Sequence, residues 1–251
     1  MKKFLILSLI LFSTFQLVAL SINPEIEAAN KAYNKEKYND AITLYNKVIE
    51  KGELAADLYY NLGNCYYRLA NYPMAILNYE RAKKLNPADA DIDFNLRIVN
   101  TKIIDKIETV PQLFFVRWWV ILSNVISYEY WAILSIIAIS LFFVLLFIYL
   151  ASSTYNIKKI TFWMGFSMII ITFFSINFAL KQYNNINSLN QGIVFTPTVT
   201  VKSSPDEKAA DKFVIHEGTK VILLDELNNW VKIRIANGSN GWVEKQCFEV
   251  I

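Results

Sequence analysis

The sequence predicts a multidomain membrane protein in which an all-α helical-repeat domain and a C-terminal all-β barrel are joined through two transmembrane α-helices. Three observations carry this expectation. Residues 25–87 repeat at an offset of 34, with Tyr38, Ala41, Ile42 and Tyr45 lying over Tyr72, Ala75, Ile76 and Tyr79, and a fixed period of this length marks stacked helical hairpins. Two uncharged runs follow, 131–150 and 160–180, of 20 and 21 residues, each long enough for a hydrocarbon core of roughly 30 Å. From about Gly192 the pattern changes to short alternating segments at 199–201, 221–224, 230–234 and 241–243, which read as strands.

Charge distribution limits the function classes. The net charge of +3 is not spread over a basic face: residues 22–112 hold 12 Lys/Arg against 13 Asp/Glu, and 181–251 hold 8 against 8. The excess sits in Lys2, Lys3, Arg117, Lys158 and Lys159, beside apolar runs, where charge sets membrane orientation. No nucleic-acid partner is expected. Cys65 and Cys247, one in each polar part, are too few for a disulfide framework and read as small core residues. A single histidine, His216, leaves no material for a His-rich metal site or a nucleophile–base pair spread over several motifs. No cofactor, metal site or catalytic residue is assigned, and the chain is not expected to be an enzyme.

Lys2 and Lys3, the apolar run 4–11 and the small residues near Ala19 and Ser21 have the order of an export signal over 1–21, cleaved or kept as an anchor. The loop 151–159 between the two runs holds Lys158 and Lys159, which places it in the cytoplasm and both polar parts outside. Pro111 opens a segment, 111–128, whose Trp118 and Trp119 favour the headgroup level, so an interfacial helix is expected there.

In the second repeat copy Leu62, Gly63, Tyr66, Ala82 and Pro87 stand at tetratricopeptide-repeat spacings, and the stretch resembles that family. The first copy is weaker, with Ala29 and Val48 at two of its small positions. Units are placed at 22–55 and 56–89, with a capping helix over 90–108 that begins near Asp89 and Asp91 and runs through Ile92, Leu96, Val99 and Ile103, closing a domain at 22–110. Gly63 and Ala75 mark the close helix crossing, while Tyr66 and Tyr79 are expected between units. The resemblance implies a peptide-binding groove lined by the first helix of each unit: Asn30, Tyr33 and Asn34, then Asn64, Tyr67 and Arg68. The plain alternative is a solvated face.

In the last segment, 192–251, Ser203-Ser204-Pro205, His216-Glu217-Gly218-Thr219, Leu227 to Trp230, and Asn237-Gly238 before Gly241-Trp242-Val243 follow the order of a bacterial SH3-like domain, which the stretch resembles. Gly218 and Gly238 are expected in turns, and Trp230 and Trp242 in the small core. Within the apolar runs Ser135, Ser140, Ser167, Thr172, Ser175 and Asn177 are candidates for helix–helix contacts.

The order of signal, repeats, two spans with a basic inner loop and C-terminal SH3-like barrel resembles the E-type proteins of the Bacteroides aerotolerance (Bat) group. That resemblance implies a bacterial inner-membrane protein with both soluble domains on the periplasmic side. It further implies a scaffold role in aerotolerance or envelope stress, with von Willebrand A-type membrane proteins as partners. The rival expectation is a peptidoglycan-sensing adaptor that uses its SH3-like domain; an enzyme acting through His216 stands third.

Overall fold

A computed structural model describes residues 23–107, 113–188 and 190–251; the export signal expected over 1–21 and the start of segment 111–128 lie outside them. The chain divides after Gly52 into two compact units. In the first, α1 (Pro24–Asn34) and α2 (Tyr38–Glu50) form a helical hairpin. The Asn23 side chain accepts from the Glu25 N–H, Pro24 opens the first turn, and Glu25 and Glu27 lie at the positive end of the helix dipole. Ala29, Ala41, Tyr45 and Val48 are buried.

The second unit opens with an equivalent hairpin, α3 (Ala56–Arg68) and α4 (Tyr72–Leu85). The turns match as well: Glu36 and Ala70, 34 positions apart, both take left-handed backbone at φ 60° and 58°. A Cβ on Gly63 would fall 2.5 Å from the Tyr79 ring, so the glycine lets that ring lie flat in the crossing. Tyr79 packs on Gly63 within its own hairpin and shares a buried cluster with Ile92, Leu96 and Val99 of the helix that follows. α5 (Ala90–Asn100) is capped by Asp89, whose carboxylate accepts from the Asp91 and Ile92 N–H groups, and it buries Ile92, Leu96 and Val99. The helix stops at Asn100 and not near 108; Ile103 follows in irregular chain.

Three apolar helices come next: α6 (Phe114–Ser123), α7 (Tyr128–Ala151) and α8 (Tyr155–Asn187). By length and composition α7 and α8 can each cross a membrane. They pack as a hairpin whose seam buries small side chains, Ser135 and Ala138 against Thr161, Gly165, Thr172 and Ser175. Ser140, Ser167 and Asn177 lie off that seam and satisfy themselves on the carbonyls of Ile136, Trp163 and Phe173 one turn earlier. At the polar end the Gln182 amide donates to the main chain of Ser123 and Ile126, tying α8 to the α6–α7 connection.

The remaining chain is a seven-stranded antiparallel sheet of order β3-β2-β6-β5-β4-β1-β7, with β1 (Gln191–Val194), β2 (Thr198–Lys202), β3 (Asp211–His216), β4 (Lys220–Leu227), β5 (Trp230–Arg234), β6 (Asn240–Glu244) and β7 (Phe248–Val250). Its core is aliphatic: Val199, Val201, Ile215, Val221, Val231, Ile233 and Val243. Trp230 and Trp242 are not part of that core. Strand alternation turns Val231, Ile233 and Val243 inward and their tryptophan neighbours to the opposite face.

Residues 75–79 of α4 are all buried, which no single helix face allows. The helix is enclosed because the sheet docks on it. Ile193 of β1 and Ile251 join Ile76, Leu77, Ile92, Leu96 and Val99 in one apolar cluster, with Ile103 and Phe195 at its edge, while Ile107 packs against the sheet core. At the β3–β4 turn Gly218 has φ 84°, and a Cβ there would fall 2.5 Å from Ile103 Cγ2 and 3.3 Å from Ile76 Cδ1. A Gly218→Ala substitution is expected to destabilise the second unit by roughly 2 kcal/mol or more, from left-handed strain and overpacking together. Denaturant unfolding of the detergent-solubilised chain, followed by tryptophan fluorescence, measures it.

Candidate functional site

The six side chains expected to face a peptide split into three equivalent pairs. Asn30 accepts a hydrogen bond from the Tyr45 hydroxyl, and Asn64 accepts one from Tyr79 at 2.8 Å. The two bonds are the same contact 34 residues apart. Each ties the first helix of a hairpin to the second, so these amide oxygens are occupied by the fold. Asn64 accepts a second bond, 3.0 Å from Asn95 Nδ2, and Asn95 also donates to the Tyr60 hydroxyl at 3.0 Å. Tyr33 sits edge-on to Tyr38 at 5.4 Å and Tyr67 is tilted on Tyr72 at 6.0 Å, again one repeat apart. Asn34 and Arg68, at the helix ends, are exposed.

The offset that produced these six also points one unit further. Adding 34 to Tyr60 gives Phe94, which is 54% exposed on α5 with the Arg97 guanidinium 5.9 Å from its ring centre. Within the second unit the polar and aromatic groups brought together are thus Tyr60 and Asn64 on α3 with Asn95 on α5, while Tyr67 packs on Tyr72, and Phe94 and Arg97 lie on α5.

His216 proves to be a clasp. Asp105, in the tail after α5, accepts from the His216 N–H at 2.7 Å and the Thr219 hydroxyl at 2.6 Å, and its other oxygen lies 2.8 Å from His216 Nδ1. Burial alone raises the Asp105 pKa, but the hydrogen bonds from Thr219 and His216 outweigh it and hold the carboxyl below the usual range. The Thr219 hydroxyl is spent on the same carboxylate and not on the imidazole, so the three groups fasten the tail to the β3–β4 turn and form no nucleophile–base pair. Nearby, Lys220 pairs with Glu80 at 2.7 Å and Arg81 with Glu249 at 2.8 Å.

Trp230 and Trp242 lie on the strand face opposite the aliphatic core. Trp230 lines a shallow cleft of about 220 Å³ with Thr198, Thr200, Lys202 and Glu244, and Trp242 stands opposite Lys202 and Lys232 in the ladder. Among the described residues no group of three or more His, Cys, Asp or Glu is arranged to hold a metal. Cys65 is fully buried and its thiol is pushed up to about 12 by that burial, whereas Cys247 is half-buried.

The tetratricopeptide repeat family matches residues 56–89, the α3–α4 hairpin and its exit, and the bacterial SH3 domain family matches residues 197–249. Tetratricopeptide repeat protein 16 of Mus musculus is 30% identical over 71 residues, 28% of this chain and 9% of that protein. The chain therefore spans under a tenth of that relative's length. It carries a tetratricopeptide repeat and a bacterial SH3 domain, both non-catalytic interaction modules.

Because Asn64 bonds two partners inside the fold, Asn64→Ala is expected to cost about 1–3 kcal/mol in unfolding free energy. An effect on partner binding without loss of stability would contradict the assignment. Asp105 is more acidic folded than unfolded, so its contribution is complete above the ordinary carboxylate pKa of about 3.9 and disappears as pH falls through its lower folded value. Asp105→Asn is expected to lower stability at pH 7 and to flatten the stability loss below about pH 4, as read by thermal unfolding across a pH series.

Proposed function

We propose that the protein is a membrane-anchored, protein-binding scaffold of the bacterial envelope. The observation that carries this is the pairing of two interaction modules in one chain with a hairpin of two helices able to cross a membrane. In this reading 1–21 is the export signal, 22–110 the repeat domain, 111–128 an interfacial segment, 131–150 and 160–180 the spans with a cytoplasmic loop at 151–159, and 192–251 the SH3-like domain. Lys158 and Lys159 at the hairpin's turn support placing that turn in the cytoplasm and the polar parts on the periplasmic side of the inner membrane.

The repeat surface takes a partner protein or peptide through Tyr67 and Arg68, with Asn34 in the first unit and Asn30, Tyr33 and Asn64 shaping their helices. The order of modules favours a Bat-type complex with von Willebrand A-type membrane proteins, serving aerotolerance or envelope stress. A second reading is favoured by the outward tryptophans: the SH3-like face binds peptidoglycan peptides and the repeats relay its occupancy.

Crosslinking in intact cells, mild detergent extraction and mass spectrometry test the first reading. Capture of von Willebrand A-type proteins, reduced about tenfold or more by the double change Tyr67→Ala and Arg68→Ala, is the expected outcome, a loss near 1.4 kcal/mol. Recovery of wall fragments alone, lost in Trp230→Ala, replaces the scaffold by the wall-sensing adaptor.

A further inference from the structure

A polar cavity of about 770 Å³ opens where α4, α6, α8 and the start of the sheet meet. Its position is set by the fold. Lys181 and Gln182 follow directly on the uncharged stretch of α8, and Val120 and Asn124 belong to the tryptophan-bearing α6 and its exit, so the cavity sits at the polar end of the two candidate spans. Its walls hold four cations, Lys83, Lys84, Lys181 and Lys220, against one carboxylate, Glu80.

Two of the four cations are neutralised. Lys220 pairs with Glu80, and Lys83 with Asp93. Lys181 has no carboxylate side chain beside it among the described residues and donates to the Ser123 hydroxyl at 3.1 Å, while Lys84 donates to the main-chain oxygen of Ser188 at 2.6 Å and to an oxygen of the last residue, Ile251, at 2.9 Å. Burial, with Arg81 and Lys220 close by, pushes the Lys84 pKa below the usual lysine range. An incoming anion relieves that positive field. The rest of the wall is rich in amides, Asn184, Asn185, Asn190 and Gln191 among them, which supply neutral N–H donors to oxyanion oxygens.

From this geometry we infer that the cavity binds a phosphate oxyanion at the membrane surface, with Lys181 as its principal charged ligand and Lys84 adding to the positive field beside it. Charge-assisted hydrogen bonds from lysine ammonium groups hold phosphate oxygens strongly, whether on a lipid headgroup or on a soluble ion. The inference rests on the reading of α7 and α8 as membrane spans, and it adds a ligand to a region that no recognition surface described above includes.

The test uses the full chain in nanodiscs of phosphatidylcholine, with and without phosphatidylglycerol, and inorganic phosphate as the soluble probe. Enrichment of phosphatidylglycerol around the wild type, measured by lipid mass spectrometry, and its loss by about tenfold in Lys181→Gln with recovery in Lys181→Arg, establishes a lipid headgroup as the source. If inorganic phosphate alone raises the thermal midpoint, and Lys181→Gln abolishes the rise, the phosphate is soluble. Lys84→Gln gives a smaller loss, and circular dichroism of each variant distinguishes lost binding from lost folding. No response to either probe, or a response unchanged in both variants, overturns the inference. Should the chain fail to enter nanodiscs, the membrane reading falls, and the inorganic phosphate arm in detergent then decides the cavity by itself.

Discussion

The docking of β1 and the β3–β4 turn onto α4 is the contact on which the second unit depends. A repeat hairpin buries its apolar face only against a neighbour, and a barrel of this size has little core of its own. Here each supplies what the other lacks. Ile193 and Ile251 enter the helical cluster, Ile107 reaches the sheet core, and Asp105 fastens the connecting tail to His216 and Thr219. Gly218 permits the approach, since any side chain there meets Ile103 and Ile76. The ion pairs Lys220–Glu80 and Arg81–Glu249 lie around this apolar seam and fix its orientation more than its strength.

This seam also positions the surfaces proposed for recognition. Ile92, Leu96 and Val99 of α5 share the cluster that Ile193 and Ile251 enter, while Trp230 and Trp242 lie on the opposite strand face from Val231, Ile233 and Val243. Gln182 anchors α8 to the α6–α7 connection, and Lys84 reaches the chain entering the sheet. Within the second unit, helices α3 to α5 and the sheet thus pack together beside the two candidate spans.

Much of the architecture was legible because it is periodic. The 34-residue offset located α3 and α4, and four of the seven strands stood out through inward valines and isoleucines flanked by polar residues. Strands β1 and β7, at four and three residues, are too short to show a period, and in β3 only Ile215 is fully buried. Size alone favours Trp230 and Trp242 for the core, whereas the alternation of Val231, Ile233 and Val243 turns them to the opposite face. The clasp at Asp105 had no local signal, for it joins residues more than a hundred positions apart. The run of buried residues in α4 was the one hint of a further partner, since Ile76, Leu77 and Tyr79 cannot share a face. Of the repeat residues, the roles of Asn30 and Asn64 were hidden because an asparagine that bonds a tyrosine within the fold looks the same in sequence as one that faces a ligand.

Native-state hydrogen exchange on the full chain in detergent addresses the shared seam most directly. The account predicts that the slowest amides of α4 and of β1 open with one free energy, and that Ile103→Ala lowers both together. A sheet that opens independently of α4, with Ile103→Ala felt on one side only, would contradict it.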